Sequence, residues 1–408
     1  MSTNLTGPEL DVGAEAARYL TDPSSRRDPW GFYRRLRQSS AVHHTSVGTW
    51  LVSGYEEANE VLRGDAVMSR REAGLAHCLQ DDPEAKRIST SRMLYNDRPE
   101  HTRLRRLVSN AFTRRGVERW EKRVRQVAHE RLDALEPLGR MDLVHDYSYP
   151  VVENIIVELL GIRHGDLPRF IAWSKAMTDA PPGADLDPYR VAANTATLEV
   201  AAYVRERIAE RRERPQEDLL TKLIQAEDAE DGRLHEHELI AMTFELIFAG
   251  YETTSNLIGN GMLCLLQHPD QLRALMHDRT LLPGAIDEML RFDSPVPMPM
   301  PRVTLEDFRV GGQLIPAGST VVVLLAAANR DPSTFDNPDS FDIRRKDNAF
   351  ISFGFGAHYC IGAQLARVES TGFFTALFDR LPGIRQEGEA AWSDHQFFRS
   401  LEKLPVAW

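Results

Sequence analysis

The 408-residue sequence predicts a mainly α-helical protein with a minor β region, folded as a single large domain over 1–408. Three observations predict it. Apolar residues recur at three-to-four spacing through most of the chain, the mark of amphipathic helices. One such pattern, Glu236 to Gln267, is the longest and runs unbroken; its middle, Ile240 to Gly250, is apolar almost all round and so should cross the core. Strand-like runs are few and short: Ala41 to His44, Thr49 to Ser53, Arg309 to Val310 and Thr320 to Ala326.

In chain order, residues 1–20 are polar and acidic and are expected to be loosely ordered. They show neither the basic start and apolar run of a signal peptide nor a membrane anchor. Helical patterns follow over Pro29–Ser39 after an Asp28 cap, Gly54–Gly64, His101–Phe112, Val117–Leu135 and Val151–Leu160. Further ones cover Pro188–Arg214, Asp218–Ala226, Pro283–Arg291 and Ala363–Leu377. Thr178–Asp185 and Ala226–Gly232 read as loops between helices, and no Gly/Ser linker or repeat divides the chain. Pro316-Ala-Gly318 is a turn that opens the last strand. The longest apolar run, Val321 to Ala328, is too short for a membrane span and reads as a buried strand.

A formal net charge of −11 argues against non-specific nucleic-acid binding. The charge is uneven: between Arg98 and Arg125 basic residues far outnumber Glu100, Glu118 and Glu121. That stretch is either a solvated helix face or a docking patch for an acidic partner. Three cysteines without metal-ligand spacing suit a reducing cytoplasm, and Cys78 and Cys264 read as small buried residues.

Cys360 is different. It ends the run Phe353-Ser-Phe-Gly-Phe-Gly-Ala-His-Tyr-Cys360-Ile-Gly362, spaced as F-x-x-G-x-x-x-C-x-G and followed by a helical pattern. Gly354, Gly356 and Gly362 let the backbone turn tightly beside a bulky ligand. A cysteine where a loop enters a helix meets free N–H groups and the positive end of the helix dipole, which favour a thiolate. Such a thiolate can serve as an axial metal ligand.

This loop resembles the haem-binding loop of the cytochrome P450 family, and other family motifs occur in the expected order along nearly the whole chain. The resemblance implies a P450 fold with haem b between a distal long helix and a proximal Cys loop. It implies Cys360 as the iron ligand, Phe353 packed near the sulfur, and Gly354 and Gly362 shaping the loop. His101 and Arg105, at i and i+4, match the family's H-x-x-x-R; with Arg302 and His358 they are expected at the haem carboxylates. Ala249-Gly250-Tyr251-Glu252-Thr253 matches the family's oxygen-site pattern. Ala249 and Gly250 then make room for oxygen through a local opening of the helix. Thr253 steadies the activated oxygen, and Glu252 helps deliver protons. Glu245, one heptad earlier, reads as a paired acid, and Tyr251 has no assigned role.

Glu288 and Arg291 match the family's E-x-x-R, a structural pair. Two departures stand out. Ser340 replaces the Arg that often completes that pair, with Arg344 or Arg345 as substitutes, and Arg98 replaces a proline. By family analogy the substrate meets Leu94, Phe244, Val296, Met298, Met300, Phe397 and Phe398, within segments 68–94, 244–253, 296–300 and 396–398. These mostly apolar residues suit a polyketide, macrolide or terpenoid.

The implied activity is a monooxygenase using O2 and electrons from NAD(P)H through a ferredoxin and ferredoxin reductase. The expected protein is cytoplasmic and a monomer by default. Two other readings are a peroxide-driven peroxygenase of the same fold and a haem-thiolate sensor. The Glu252-Thr253 pair argues against the first, and the lack of a visible output segment against the second.

Overall fold

The computed structural model describes residues 11–64, 68–76, 78–109, 112, 114–178, 185–227, 234–395 and 397–408. The loop predicted at Thr178–Asp185 lies mostly outside these residues, as do 228–232 of the other predicted loop.

The long helix forms over Glu236–Gln267, with the bounds the sequence predicts. Its first turn is capped reciprocally: the His235 N–H donates to Glu238 Oε2 at 2.9 Å. It packs against helices Tyr149–Leu160, Leu282–Phe292 and Ala363–Arg380. Gly250 lets it approach the first of these, because a Cβ there would lie 2.5 Å from Ile156 Cδ1. Helix Ala363–Arg380 is in turn clamped against Arg114–Leu135, where a Cβ on Gly372 would lie 2.5 Å from Val124 Cγ1. Cys264 is buried, as expected, while Cys78 is only half-buried.

The main sheet has five strands, in spatial order Val42–His44, Thr49–Val52, Thr320–Val323, Arg302–Thr304 and Met68–Ser69. Thr49–Val52 pairs with Thr320–Val323 in parallel, and the other pairings are antiparallel. The predicted strand Thr320–Ala326 is shorter than expected. It ends at Val323, and Leu325–Ala328 makes a buried helical turn. A continuously apolar run satisfies either conformation when both are buried. Arg309–Val310 belongs to the hairpin of Phe308–Val310 with Gln313–Ile315. It turns at Gly311 and Gly312, whose φ values are 54° and 77°.

The expectation of a loose segment over 1–20 fails where the structure describes it. Val12–Thr21 is a helix capped by Asp11, with Ala16 and Tyr19 buried against Tyr33 and Leu36. Apolar Ala16, Tyr19 and Leu20 make a stripe dense enough to dock despite the polar composition. Asp28 is not a cap; Pro29 stands at the start of helix Trp30–Ser39 with no side-chain cap. Short helices at Arg70–Ala76, Pro83–Thr90, Leu167–Thr178 and Pro269–His277 add to those predicted. Among the described residues no helix is long and apolar enough to cross a membrane.

Candidate active site

The loop before helix Ala363–Arg380 turns as its glycines require. Gly354 and Gly356 have φ of 71° and 74°, in the left-handed region. A Cβ on Gly356 would also lie 2.7 Å from the Leu62 carbonyl oxygen. Gly362 was expected to share this role, but its φ of −85° is open to any residue. The Cys360 N–H donates to the Phe353 carbonyl at 2.8 Å and closes the turn. The Arg367 guanidinium stands 4.7 Å from the Phe353 ring centroid and is tied to Asp287 at 2.9 Å.

Cys360 is enclosed by protein, yet its surface stays accessible, so it stands on the wall of an internal space. Burial raises its thiol pKa, opposed by N–H groups of Gly362 and Ala363 and by the charges of Arg105 and Arg367. The helix-start donors are therefore where the sequence predicts them, but they do not by themselves make a thiolate. Desolvation of a buried anion is larger, and a thiolate here needs a cation beside it.

Basic groups converge at this loop from three segments. His101 and Arg302 are buried, and Arg105 and His358 are half-buried. The His101 and His358 rings lie 4.1 Å apart. Burial, then the charges of Arg70, His101, Arg302 and Arg105, hold the His358 imidazole far below its ordinary range. Arg302 donates to the Val61 and Leu62 carbonyls at 3.2 and 3.1 Å.

Arg70 joins this group, and sequence reasoning missed it. Its Nε and Nη1 are buried without a hydrogen-bond partner, and burial, then the like charge of Arg302, pushes the guanidinium down to about 9. Cations gathered around buried, unpaired donors call for an anion. The two carboxylates of haem have that chemistry, and Cys360 supplies the sulfur an iron would take. The residues present therefore fit the group.

On the long helix, Ala249 is exposed although it lies midway along a core helix, so its methyl faces open space. The predicted opening does not occur: the helix is continuous through Ala249–Thr254. Thr253 Oγ1 donates to the Ala249 carbonyl at 2.6 Å, a bond the intact ladder tolerates. Glu252 is half-buried, with Oε2 3.4 Å from His395 Nε2. Tyr251 now has a packing role: it is buried, with its ring 5.3 Å from that of Tyr149. Glu245 was expected to be paired, but among the described residues it has no ion-pair partner: Oε1 accepts from the Leu94 N–H at 2.9 Å and Oε2 has no hydrogen-bond partner. Burial pushes this carboxyl up to about 7, against the opposing charge of Arg92.

Glu288 and Arg291 are fully buried and joined in a bidentate pair at 2.7 and 2.8 Å. Arg291 also donates to the carbonyls of Asn329 and Pro338, both at 2.9 Å, and of Ser340 at 3.1 Å. Arg345, not Arg344, takes the place Ser340 leaves: its Nε donates to Glu288 Oε2 at 3.1 Å. Arg98 is exposed.

The predicted substrate residues divide. Phe398 packs on Phe248 at 5.5 Å and on His395 at 4.9 Å. Phe397 is half-buried, and Gln396 lies outside the described residues. Phe244 is buried beside Phe170, with the Arg92 guanidinium 5.0 Å from its ring centroid. Val296, Met300 and Leu94 are half-buried. Met298 packs against the N-terminal aromatic cluster instead. Sequence reasoning also missed His395 and Arg92, since a lone residue in a loop carries no periodic signal.

Much of the basic stretch is neutralised. Arg103 pairs with Glu238, Arg119 with Glu217, Arg123 with Glu158 and Arg125 with Glu121. Arg105 is close enough to Cys360 to act on its charge, and Arg98, Arg106 and Lys122 are exposed. The side chains of Arg114 and Arg115 lie outside the described residues.

A cysteine loop and a cationic cluster around the unpartnered nitrogens of Arg70, in a fold crossed by one long helix, define a haem-thiolate class of protein. Comparison with known proteins agrees. The cytochrome P450 family model matches residues 37–382. Cytochrome P450 monooxygenase PikC of Streptomyces venezuelae is 40% identical, covering 100% of this chain and 96% of that protein. The polyketide biosynthesis cytochrome P450 PksS of Bacillus subtilis is 34% identical, over 93% of this chain and 96% of its own. The crystal structure of P450BioI, in complex with an acyl carrier protein ligated to hexadec-9Z-enoic acid, superposes with a TM-score of 0.86 at 33% identity. It covers 94% of this chain and 98% of that one. The chain belongs to the cytochrome P450 family and is an enzyme of its monooxygenase class.

Proposed function

We propose that this P450 inserts one oxygen atom from O2 into a C–H bond or alkene of a sizeable, largely apolar organic substrate. Tailoring of a secondary metabolite of polyketide, macrolide or terpenoid type is the role that best suits it. The observation that carries this reading is Cys360, accessible on an internal wall, in a loop whose His358 lies near Arg70 with its unpartnered Nε and Nη1. The half-buried apolar side chains of Val296, Met300 and Phe397 support the substrate class, as does similarity to a protein named for polyketide biosynthesis.

Haem b, when bound, supplies the oxygen-activating chemistry. Cys360 offers its sulfur as the iron ligand, and Phe353 covers that sulfur from the loop side, fixed by Arg367. His101, Arg105, Arg302 and His358, with Arg70, would hold the two haem carboxylates. Ala249 keeps the distal wall small, whereas Gly250, expected to share that role, faces Ile156 and serves the packing of the long helix. Thr253 donates its own proton to the Ala249 carbonyl, which leaves its oxygen lone pairs free to accept. Glu252 carries protons in from the solvent side. Electrons reach the enzyme from NAD(P)H through a ferredoxin and its reductase. Arg106 and Lys122 offer exposed positive charge for an acidic partner. We assign the protein to the cytoplasm, as a monomer.

The test is the absorption spectrum of the purified protein, reduced under carbon monoxide. A strongly red-shifted carbonyl Soret band is expected, and Cys360→Ser should lose it. An unshifted band in fresh parent protein sinks the assignment of Cys360. A low-to-high-spin shift of the ferric protein with a polyketide, macrolide or terpenoid then identifies the substrate class. A second reading, a carrier-linked substrate, is favoured by similarity to P450BioI, whose structure holds an acyl carrier protein. Turnover of a carrier-linked acid but not of the free acid would select it.

A further inference from the structure

The C-terminal segment brings a histidine to the acid of the long helix. His395 Nδ1 accepts the backbone N–H of Phe397 and of Phe398, both at 3.1 Å. A ring nitrogen that accepts carries no proton, so a neutral His395 must be protonated at Nε2. The Nε2 nitrogen lies 3.4 Å from Glu252 Oε2, within ion-pair range. Burial, then the positive charges of Lys175 and Arg26, push the imidazole down to about 4, which agrees with the neutral form. Burial raises the Tyr149 and Tyr251 phenols, and the charge of nearby Glu252 adds to both. On its other side the His395 ring lies 4.9 Å from Phe398, and Phe398 lies 5.5 Å from Phe248 of the long helix. One loop therefore carries two pocket candidates and a ring nitrogen within ion-pair distance of the acid next to Thr253.

We propose that His395 is a positioning residue for Glu252: its Nε2–H orients the carboxylate and ties that orientation to the loop bearing Phe397 and Phe398. Glu252 then does not hold its place by helix geometry alone. A substrate that shifts either phenylalanine moves the donor that fixes the acid. This inference rests on the proton-carrying role proposed for Glu252.

Two substitutions separate positioning from loop structure. Asn at 395 can keep the acceptor for the Phe397 and Phe398 N–H groups but is too short to reach Glu252. Gln at 395 places an amide N–H where Nε2 stood. The readout needs no substrate: NADPH consumption by the holoenzyme with a plant-type ferredoxin and its reductase, in water and in deuterium oxide. His395→Asn should slow consumption by roughly tenfold to a hundredfold and enlarge the solvent isotope effect, with the red-shifted carbonyl band unchanged. His395→Gln should recover at least half of the parent rate.

A readout independent of turnover is nitrogen NMR of ring-labelled histidine in the ferrous carbonyl protein. At pH 7 it should show the neutral Nε2–H form of His395. An Nδ1–H tautomer, an imidazolium, an Asn variant equal to the parent, or a Gln variant no better than Asn overturns the proposal. Glu252→Gln is the control for the reading beneath it. If that variant leaves consumption unchanged, the role of Glu252 falls and this one with it, whereas the NMR result still reports the His395 geometry.

Discussion

Glu369 lies on the helix that follows Cys360, fully enclosed, with Oε1 unpartnered and Thr254 of the long helix as its hydrogen-bond partner. Burial pushes its carboxyl up to about 8. The sign follows from proton counting. Between the ordinary carboxylate value and about 8 the folded state holds a proton that the unfolded chain releases. Stability contributed by this group is therefore present at low pH and lost as pH rises through that window, by at most about 1.4 kcal/mol per pH unit. Glu369→Gln should flatten the fall in thermal midpoint between pH 6 and pH 8, measured against the parent; parallel curves would count against it. Arg70 makes the second prediction at this scale. Arg70→Leu removes a buried guanidinium with two unsatisfied nitrogens, so the protein should keep its fold but retain haem less well. The fraction of haem-free protein after passage over apomyoglobin measures this.

At the scale of the element, the Cys360 loop depends on one glycine more than on the others. Gly356 combines a φ of 74° with a backbone carbonyl 2.7 Å from where a Cβ would stand. Gly356→Ala should cost about 1–3 kcal/mol and lower haem incorporation, because Leu62 lies in a helix that cannot easily retreat. Gly362→Ala should be tolerated, since its φ is ordinary and an added Cβ would meet Cys360 Sγ at 3.9 Å, normal contact. The contrast between the two variants, read from the ferrous carbonyl band per milligram, tests whether strain or sequence motif governs the loop. The loop was legible in the sequence because its glycines and cysteine are contiguous. Gly362 misled because a glycine in a motif does not say which of its properties is in use.

At the scale of the molecule, Glu288 and Arg291 join the helix Leu282–Phe292 to the segment from Asn329 to Arg345, which leads into the Cys360 loop. Both groups are fully buried, so deleting one leaves an uncompensated charge. Glu288→Ala should destabilise by about 3–5 kcal/mol and give little folded holoenzyme. Arg345→Ala removes an added partner at the edge of the pair and should cost less, about 1–3 kcal/mol by denaturant titration. Equal losses would mean that Arg345 is as central as Arg291.

Local sequence determined the long helix, the Cys360 loop, the E-x-x-R pair and the i, i+4 placement of His101 and Arg105. Each is written in neighbouring residues, through helical period, glycine conformation and side-chain spacing. Tertiary structure alone decided what lies far apart along the chain: Arg70 beside Arg302, Arg345 rather than Arg344 on Glu288, and His395 near Glu252. It also decided the balance at Cys360, where burial outweighs the helix-start donors. The physical reason is common to all of these. Desolvation and charge pairing depend on distance through space, and no periodicity along the chain encodes that distance before the helices pack.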